Sequence, residues 1–356
     1  MVDVFVARRD LRAARGRFAL IAGVVALITV LVGFLSGLTG GLAARNISAV
    51  VGLDATRIVT AAGAQSFADS TLSADQVATW QRAGAQVDPL GIGQLRAING
   101  DTSVGVALFG APATLDPAVP TGDGTVSLSA DAATELRAGT GERIDIAGTS
   151  YIVGAVTPAA WYAHTPVVWL TLGDWQRVDR TTGAGDGAAT VLVVRGTADG
   201  DADWSALDAA AGTRSATPLQ ALPEIGAFRS EIGSLGLIIG LLFAISAVVV
   251  GAFFVVWGMQ RRGDVAVLKA LGASNASLRR DSLGQAAVVL AVGVGAGIAV
   301  VVAAGLALPA AVPFLLSPLT TVLPAVLLIL LGLVGAVVAL RPVTSADPLT
   351  ALGSNR

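Results

Sequence analysis

Four stretches of this chain, Phe18 to Leu38, Ser234 to Met259, Leu283 to Pro309 and Thr320 to Leu340, contain no Asp, Glu, Lys or Arg. Each is at or above the length of roughly 20 residues that carries a helix across a hydrocarbon core. In lipid every backbone N–H and C=O has to be paired inside its own segment, so stretches of this kind fold as helices. Composition points the same way: 54% of residues are hydrophobic and 13% charged, where a soluble domain carries about 25% charged. Mean hydropathy is +0.72. The expected fold class is an α-helical integral membrane protein with four transmembrane helices and a mixed α/β extracytoplasmic domain between the first and the second.

Residues 1–17, with Arg8, Arg9, Arg12, Arg15 and Arg17 among apolar neighbours, have the pattern of a basic interfacial helix. The apolar run that follows is too long for a signal peptide and lacks a small-residue cleavage site, so it reads as a retained first span over 18–42. Residues 43–228 hold most of the acids and prolines and form the expected water-exposed domain and stalk. Val104 to Phe109, Arg143 to Ile146, Tyr151 to Val156, Val167 to Leu172 and Val191 to Val194 read as strands, with a hairpin turn at Ala147 to Ser150. Ser73 to Ala83 and Ser129 to Leu136 read as helices with Ser at the N-cap. The remaining boundaries are a second span over 229–259, a coupling loop over 260–282, a third span over 283–310, an outer loop over 311–319, a fourth span over 320–340 and a tail over 341–356.

Arg261, Arg262, Lys269, Arg279 and Arg280 lie between the second and third spans, whereas the loop after the third span is uncharged. The positive-inside rule therefore places both termini and the 260–282 loop in the cytoplasm and the large domain outside. Of the 25 acids, only Asp3, Asp10, Asp264, Asp281 and Asp347 fall on the inner side. A multi-pass protein of the bacterial cell membrane fits, with lipid as its surroundings.

Several functions are disfavoured. A formal charge of −2 does not suit nucleic acid, which needs a basic surface. The chain has no cysteine, which removes disulfides and thiolate metal sites. The only lysine, Lys269, has no glycine-rich phosphate loop around it, so the chain lacks that means of binding ATP. A two-histidine zinc motif is impossible with His164 as the sole histidine, and no nucleophile-elbow sequence accompanies it. No catalytic residue, metal site or resident cofactor is expected, and the chain is not expected to be an enzyme. His164 itself reads in two ways, as a hydrogen-bonded residue shaping its loop or as a ligand contact.

The segment Gln260-Arg261-Arg262-Gly263-Asp264-Val265-Ala266-Val267-Leu268-Lys269-Ala270-Leu271-Gly272-Ala273-Ser274 combines a basic start, an apolar core of helical period and a Gly stop. It resembles the hallmark of the MacB/FtsX permeases, and Arg341-Pro342 with Ala346-Asp347-Pro348-Leu349-Thr350-Ala351-Leu352 is similar to that family's ending. Asp264-Val265-Ala266 stands where the family has a Glu-Ile-Gly triplet. The resemblance implies a homodimer working with two copies of a separate ABC ATPase that binds the ATP. It also implies that Arg261, Arg262, Asp264, Leu268, Leu271 and Gly272 contact that ATPase. The opening Arg9 to Phe18, the element Ser36 to Leu42 and His164 to Trp169 most resemble the haem-exporting permeases of Gram-positive bacteria. That implies an ATP-driven efflux permease for haem or another hydrophobic compound, taken from the membrane and expelled by dimer closure. Two other functions of the wider family remain open: transmembrane signalling of the FtsX kind, which activates a cell-wall hydrolase, and lipoprotein release.

Leu222, Ile225, Phe228, Ile232, Leu235 and Ile239 keep near-helical spacing into the second span, so stalk and span are expected to be one helix. Glu224, Phe228 and Glu231 then stand at i, i+4 and i+7 on one face. Across a two-fold axis that face would present four carboxylates and two rings, suited to an amphipathic ligand or to carboxylate ligation of haem iron. Glu231, Glu224, Phe228 and His164 are the candidate substrate-binding residues. The competing reading is that acids in the first turns of a wet helix simply complement its dipole. Gly33, Gly37 and Gly41 in the first span, and Gly293 and Gly297 in the third, have the spacing for close helix contact.

Overall fold

A computed structural model describes residues 15–83, 86–183, 187–196, 203–260, 274–309 and 311–344. Arg261, Arg262, Asp264, Leu268, Leu271 and Gly272, residues 1–14 of the expected interfacial helix and residues 345–356 of the tail lie outside the described residues. The chain forms two compact units, Leu42–Gly233 and Met1–Gly41 with Ser234–Arg356.

Among the described residues four helices are long and apolar enough to cross a membrane, and most of their length falls in the second of these units. They are α1 (Arg15–Val51), α7 (Gly226–Gln260), α8 (Asn275–Ala307) and α9 (Pro318–Thr344). α8 starts ahead of the expected third span because Ser274 caps it, its hydroxyl accepting from the Ser277 N–H at 3.1 Å. The glycines decide how the helices meet. A Cβ on Gly293 would lie 2.8 Å from the Ala22 carbonyl oxygen, and one on Gly297 would lie 2.5 Å from Thr29. Bare glycine lets the backbones of α1 and α8 approach where apolar area alone gives no drive in lipid. Beyond α8 the chain turns back onto α1: the Phe314 ring sits over Gly37, 4.9 Å from the Phe34 ring, and the Leu315 N–H donates to the Gly37 carbonyl at 3.0 Å. A Cβ on Gly41 would fall 2.1 Å from the Pro313 carbonyl oxygen. Ile21, Val25, Val250, Phe254, Leu290, Val294 and Leu328 fill the core between the helices.

Among the described residues the unit Leu42–Gly233 is built on ten strands. In chain order these are β1 (Arg57–Ala61), α2 (Ala74–Arg82), β2 (Gln86–Asn99), β3 (Thr102–Ala111), β4 (Thr125–Ser129), α3 (Ala130–Leu136), β5 (Arg143–Ile146) and β6 (Thr149–Thr157). β7 (Trp161–Tyr162), β8 (Thr165–Thr171), α4 (Leu172–Thr182), β9 (Val191–Arg195), α5 (Trp204–Ala211), β10 (Thr213–Ala216) and the short α6 (Pro218–Ala221) complete it. The sheet runs β10-β1-β9-β2-β3-β8-β4-β6-β5, with β7 on β8 and β5 returning to β2 through Ala97 and Ile98. Local chemistry accounts for the helix starts. Ser73 and Gln76 form a reciprocal capping box on α2, and the Ser129 hydroxyl accepts from the Ala132 N–H. The β5–β6 turn is Ala147-Gly148, both at positive φ, the tight turn whose twist matches a right-handed hairpin.

β2 is the long strand that organises this unit. Its first half pairs with β9 and its second with β3, and its residues enter three apolar clusters, Val87 in one, Leu90 in the second and Ala97 in the third. Val106, Leu108, Leu128, Ile144, Tyr151 and Val153 lie in one, closed by α3 and α4. Ile58, Leu90, Phe109, Trp169 and Val193 lie in another, which also takes in Ala49 and Val50 from the end of α1.

Gly41→Ala should destabilise the helical unit by about 1–3 kcal/mol, because the Pro313 backbone has to move. Gly295→Ala, where a Cβ meets open space, should be neutral or stabilising by up to about 1 kcal/mol. Thermal unfolding of the two purified variants checks the contrast.

Candidate functional site

The site begins with a turn. β7 and β8 are joined by Ala163 and His164 alone, with φ of 45° and 65°. Left-handed backbone at two residues that carry a Cβ costs about 1–2 kcal/mol each, so other contacts hold it there. The Ala163 N–H donates to the Asn46 carbonyl and the His164 N–H to the Arg45 carbonyl, both at 3.0 Å. Below the tip the Trp161 N–H donates to the Ser48 hydroxyl at 2.9 Å, and its indole N–H donates to the Asp131 carboxylate at 2.8 Å. The Arg45 guanidinium lies 4.9 Å above the Trp161 ring. The hairpin is thereby docked on the last turns of α1.

Docking sets His164 against Glu231 and Asn46, all three within Leu42–Gly233. His164 Nε2 is 2.7 Å from Glu231 Oε1, and Asn46 Nδ2 donates to Glu231 Oε2 at 3.1 Å and to the Leu42 carbonyl at 3.2 Å. With the imidazole proton on Nε2, both carboxylate oxygens of Glu231 are acceptors in use. Asn46 is fully buried and its Oδ1 has no partner, whereas the His164 and Glu231 side chains each keep 34% of their surface. A carboxylate is thus held in a fixed orientation but remains reachable. That suits a Lewis-base contact or a charge-assisted hydrogen bond. Among the described residues no three His, Asp or Glu side chains gather to hold a bare metal ion.

The other two candidates go elsewhere. Glu224 lies on a 3₁₀ turn, Leu222–Glu224, and Ile225 is extended at φ −82° and ψ 103°, so α7 starts only at Gly226. The expected face of Glu224, Phe228 and Glu231 on one helix is corrected accordingly: Pro223 and the extended Ile225 break the helical period ahead of Phe228. Glu224 Oε1 pairs with Arg214 Nη2 at 2.8 Å, while Oε2 is buried and unpaired. Burial raises the Glu224 carboxyl above its ordinary value, opposed by the Arg214 charge. Phe228 remains three residues from Glu231 on α7, and its ring packs against the core containing Phe109 and Tyr162. Asn46 is the residue that sequence reasoning missed. Its signal was an amide placed directly after Arg45, where an otherwise apolar helix ends.

Comparison with known proteins brings two kinds of relative. Residues 236–348 match the FtsX-like permease C-terminal family. Two proteins of Staphylococcus epidermidis strains, each named "Putative hemin transport system permease protein HrtB", are 22% identical over 358 residues, covering 99% of this chain and 99% of theirs. A protein of that name from Staphylococcus haemolyticus is 32% identical over 130 residues, 36% of this chain and 37% of its own. The solved extracellular domain of the noncanonic ABC-type transporter YknZ from Gram-positive bacteria is 12% identical with a TM-score of 0.34, covering 46% of this chain and 98% of that one.

Asn46→Asp should destabilise the protein more than Asn46→Leu, since it sets a second carboxylate about 3 Å from Glu231, whereas removing the amide costs about 1–3 kcal/mol. Denaturation of the two variants beside the wild type checks the order.

Proposed function

With an FtsX-like permease domain over residues 236–348, we propose that the chain is the permease subunit of an ATP-driven exporter for haem or another hydrophobic compound. Two copies assemble with two copies of a separate ABC ATPase, which binds and hydrolyses the ATP. The domain Leu42–Gly233 lies outside the membrane and both termini lie in the cytoplasm, in keeping with the arginines of residues 1–17 and of the 260–282 loop.

The observation that carries this reading is the Glu231 carboxylate, oriented by His164 and Asn46 yet one-third exposed, on the first turns of an apolar helix. An acid at such a boundary is costly to keep and marks a ligand path more often than a packing position. Each copy contributes one such carboxylate, and a pair of them can take a haem iron through oxygen. Full-length similarity to proteins named for hemin transport adds weight. Export is preferred to FtsX-like signalling or lipoprotein release because those act on protein partners and require no oriented carboxylate here.

The mechanism follows from these parts. The ligand enters from the lipid, Glu231 exchanges its His164 hydrogen bond for the ligand, and ATP-driven closure of the dimer expels it outward. Arg261, Arg262, Asp264, Leu268, Leu271 and Gly272 dock on the ATPase and pass its closure to the helices.

Glu231→Ala in the reconstituted complex should weaken haemin affinity at least about tenfold, a loss of roughly 1.4 kcal/mol, with subunit assembly intact. Titration followed by Soret absorbance measures it, and unchanged affinity removes Glu231 from the site. Replacing Arg262 and Leu271 together should abolish permease-stimulated ATP hydrolysis. Normal co-purification and normal turnover would contradict the docking role.

A further inference from the structure

Asn46 and His164 hold the same carboxylate from unlike positions. Asn46 is 0% exposed and sits within α1, whereas His164 stands at a hairpin tip and, like Glu231, keeps 34% of its side-chain surface. A ligand that approaches Glu231 therefore meets the 2.7 Å bond from His164 Nε2 to Oε1. The 3.1 Å bond from Asn46 Nδ2 to Oε2 is out of its reach.

The two bonds are also independent of each other. Asn46 Nδ2 lies 3.2 Å from His164 Nε2, but its protons go to Glu231 Oε2 and to the Leu42 carbonyl. An amide nitrogen has only two to give, so removing the imidazole leaves the Asn46 bonds as they are. The hairpin tip does not depend on the imidazole either. Its backbone N–H groups at Ala163 and His164 donate to the Asn46 and Arg45 carbonyls. Gln94 Nε2 adds bonds to the Ala163 carbonyl at 3.3 Å and to the Thr165 hydroxyl at 3.0 Å.

Packing does not explain either residue. Asn46 buries Oδ1 without a partner, which costs stability that an apolar side chain of similar size would keep. His164 holds a left-handed φ of 65° that glycine adopts without strain. What the two supply in return is one donor each to Glu231. We propose that they act on it in opposite senses. Asn46 is a positioning residue that keeps Oε2 anchored while a ligand is bound, so that the carboxylate offers the single oxygen Oε1. His164 is an internal competitor that occupies Oε1 until a ligand displaces it. This rests on the reading of Glu231 as the ligand-binding carboxylate. The occupied oxygen sets a threshold, because a ligand has to better a charge-assisted hydrogen bond before it binds.

Haemin titration of the reconstituted complex, followed by Soret absorbance, separates the two roles by sign. His164→Gly suits the left-handed turn and removes the competitor, so haemin affinity should rise about threefold to tenfold, the equivalent of one hydrogen bond. Asn46→Leu should lower it about tenfold. Asn46→Leu should also shift the Soret maximum of the saturated complex, since the iron then meets an unanchored carboxylate, whereas His164→Gly should leave that maximum in place. In a Glu231→Ala background neither substitution should alter the residual affinity, because both act through that carboxylate. Unchanged or lower affinity with His164→Gly overturns the proposal, and decides it alone if Asn46→Leu does not assemble. An unchanged Soret maximum with Asn46→Leu, or either effect persisting without Glu231, overturns it too. In each of these cases a loss of affinity with Glu231→Ala by itself leaves the Glu231 site standing, whereas unchanged affinity in that variant removes the site and the proposal together.

Discussion

Hydrocarbon accepts no unpaired backbone dipole, and the arrangement of this chain follows from that cost. Phe18–Val51, Gly226–Trp257, Arg279–Ala307 and Pro318–Val338 satisfy it as helices, and the ten-stranded sheet is confined to Leu42–Gly233. Polar side chains inside the helices obey the same accounting. Thr29 donates to the Val25 carbonyl and Thr39 to the Leu35 carbonyl, each at 2.8 Å, so neither needs a partner on another helix. Association is then left to close packing, which is why Gly41 of α1 and Gly293 and Gly297 of α8 sit where a Cβ would collide with a neighbouring backbone.

Within Leu42–Gly233 the same economy works through a two-residue turn. Ala163 and His164 occupy backbone conformations that disfavour side chains, and two hydrogen bonds to the end of α1 hold them there. Glu231 is oriented as a consequence, since His164 and the buried Asn46 occupy both of its oxygens. Strain in the turn and a buried amide persist because the surrounding hydrogen bonds over-determine this one arrangement.

How far the residues could be read depended on whether the governing physics was local. The β5–β6 hairpin was legible because Ala147-Gly148 sets its own turn, and α2 and α3 were legible because Ser73 and Ser129 cap them. β2 was not, because Pro89, Gly91 and Gly93 interrupt its alternation and its two halves answer to different partners. Glycines there leave room for Trp175, which is far along the chain. The face of Glu224, Phe228 and Glu231 failed at Ile225 for a related reason: apolar spacing stays helical through a residue whose backbone is extended.

The sequence alone determined the four apolar spans and the presence of a mixed domain between the first two, because a charge in hydrocarbon is penalised whatever its neighbours are. It also singled out His164 and Glu231 separately. Only the tertiary structure decided that these two meet, that Asn46 completes them and that Glu224 turns away to Arg214. Contacts between residues 118 and 185 positions apart depend on how the hairpin tip and two helices are brought together. No local propensity or period encodes that geometry.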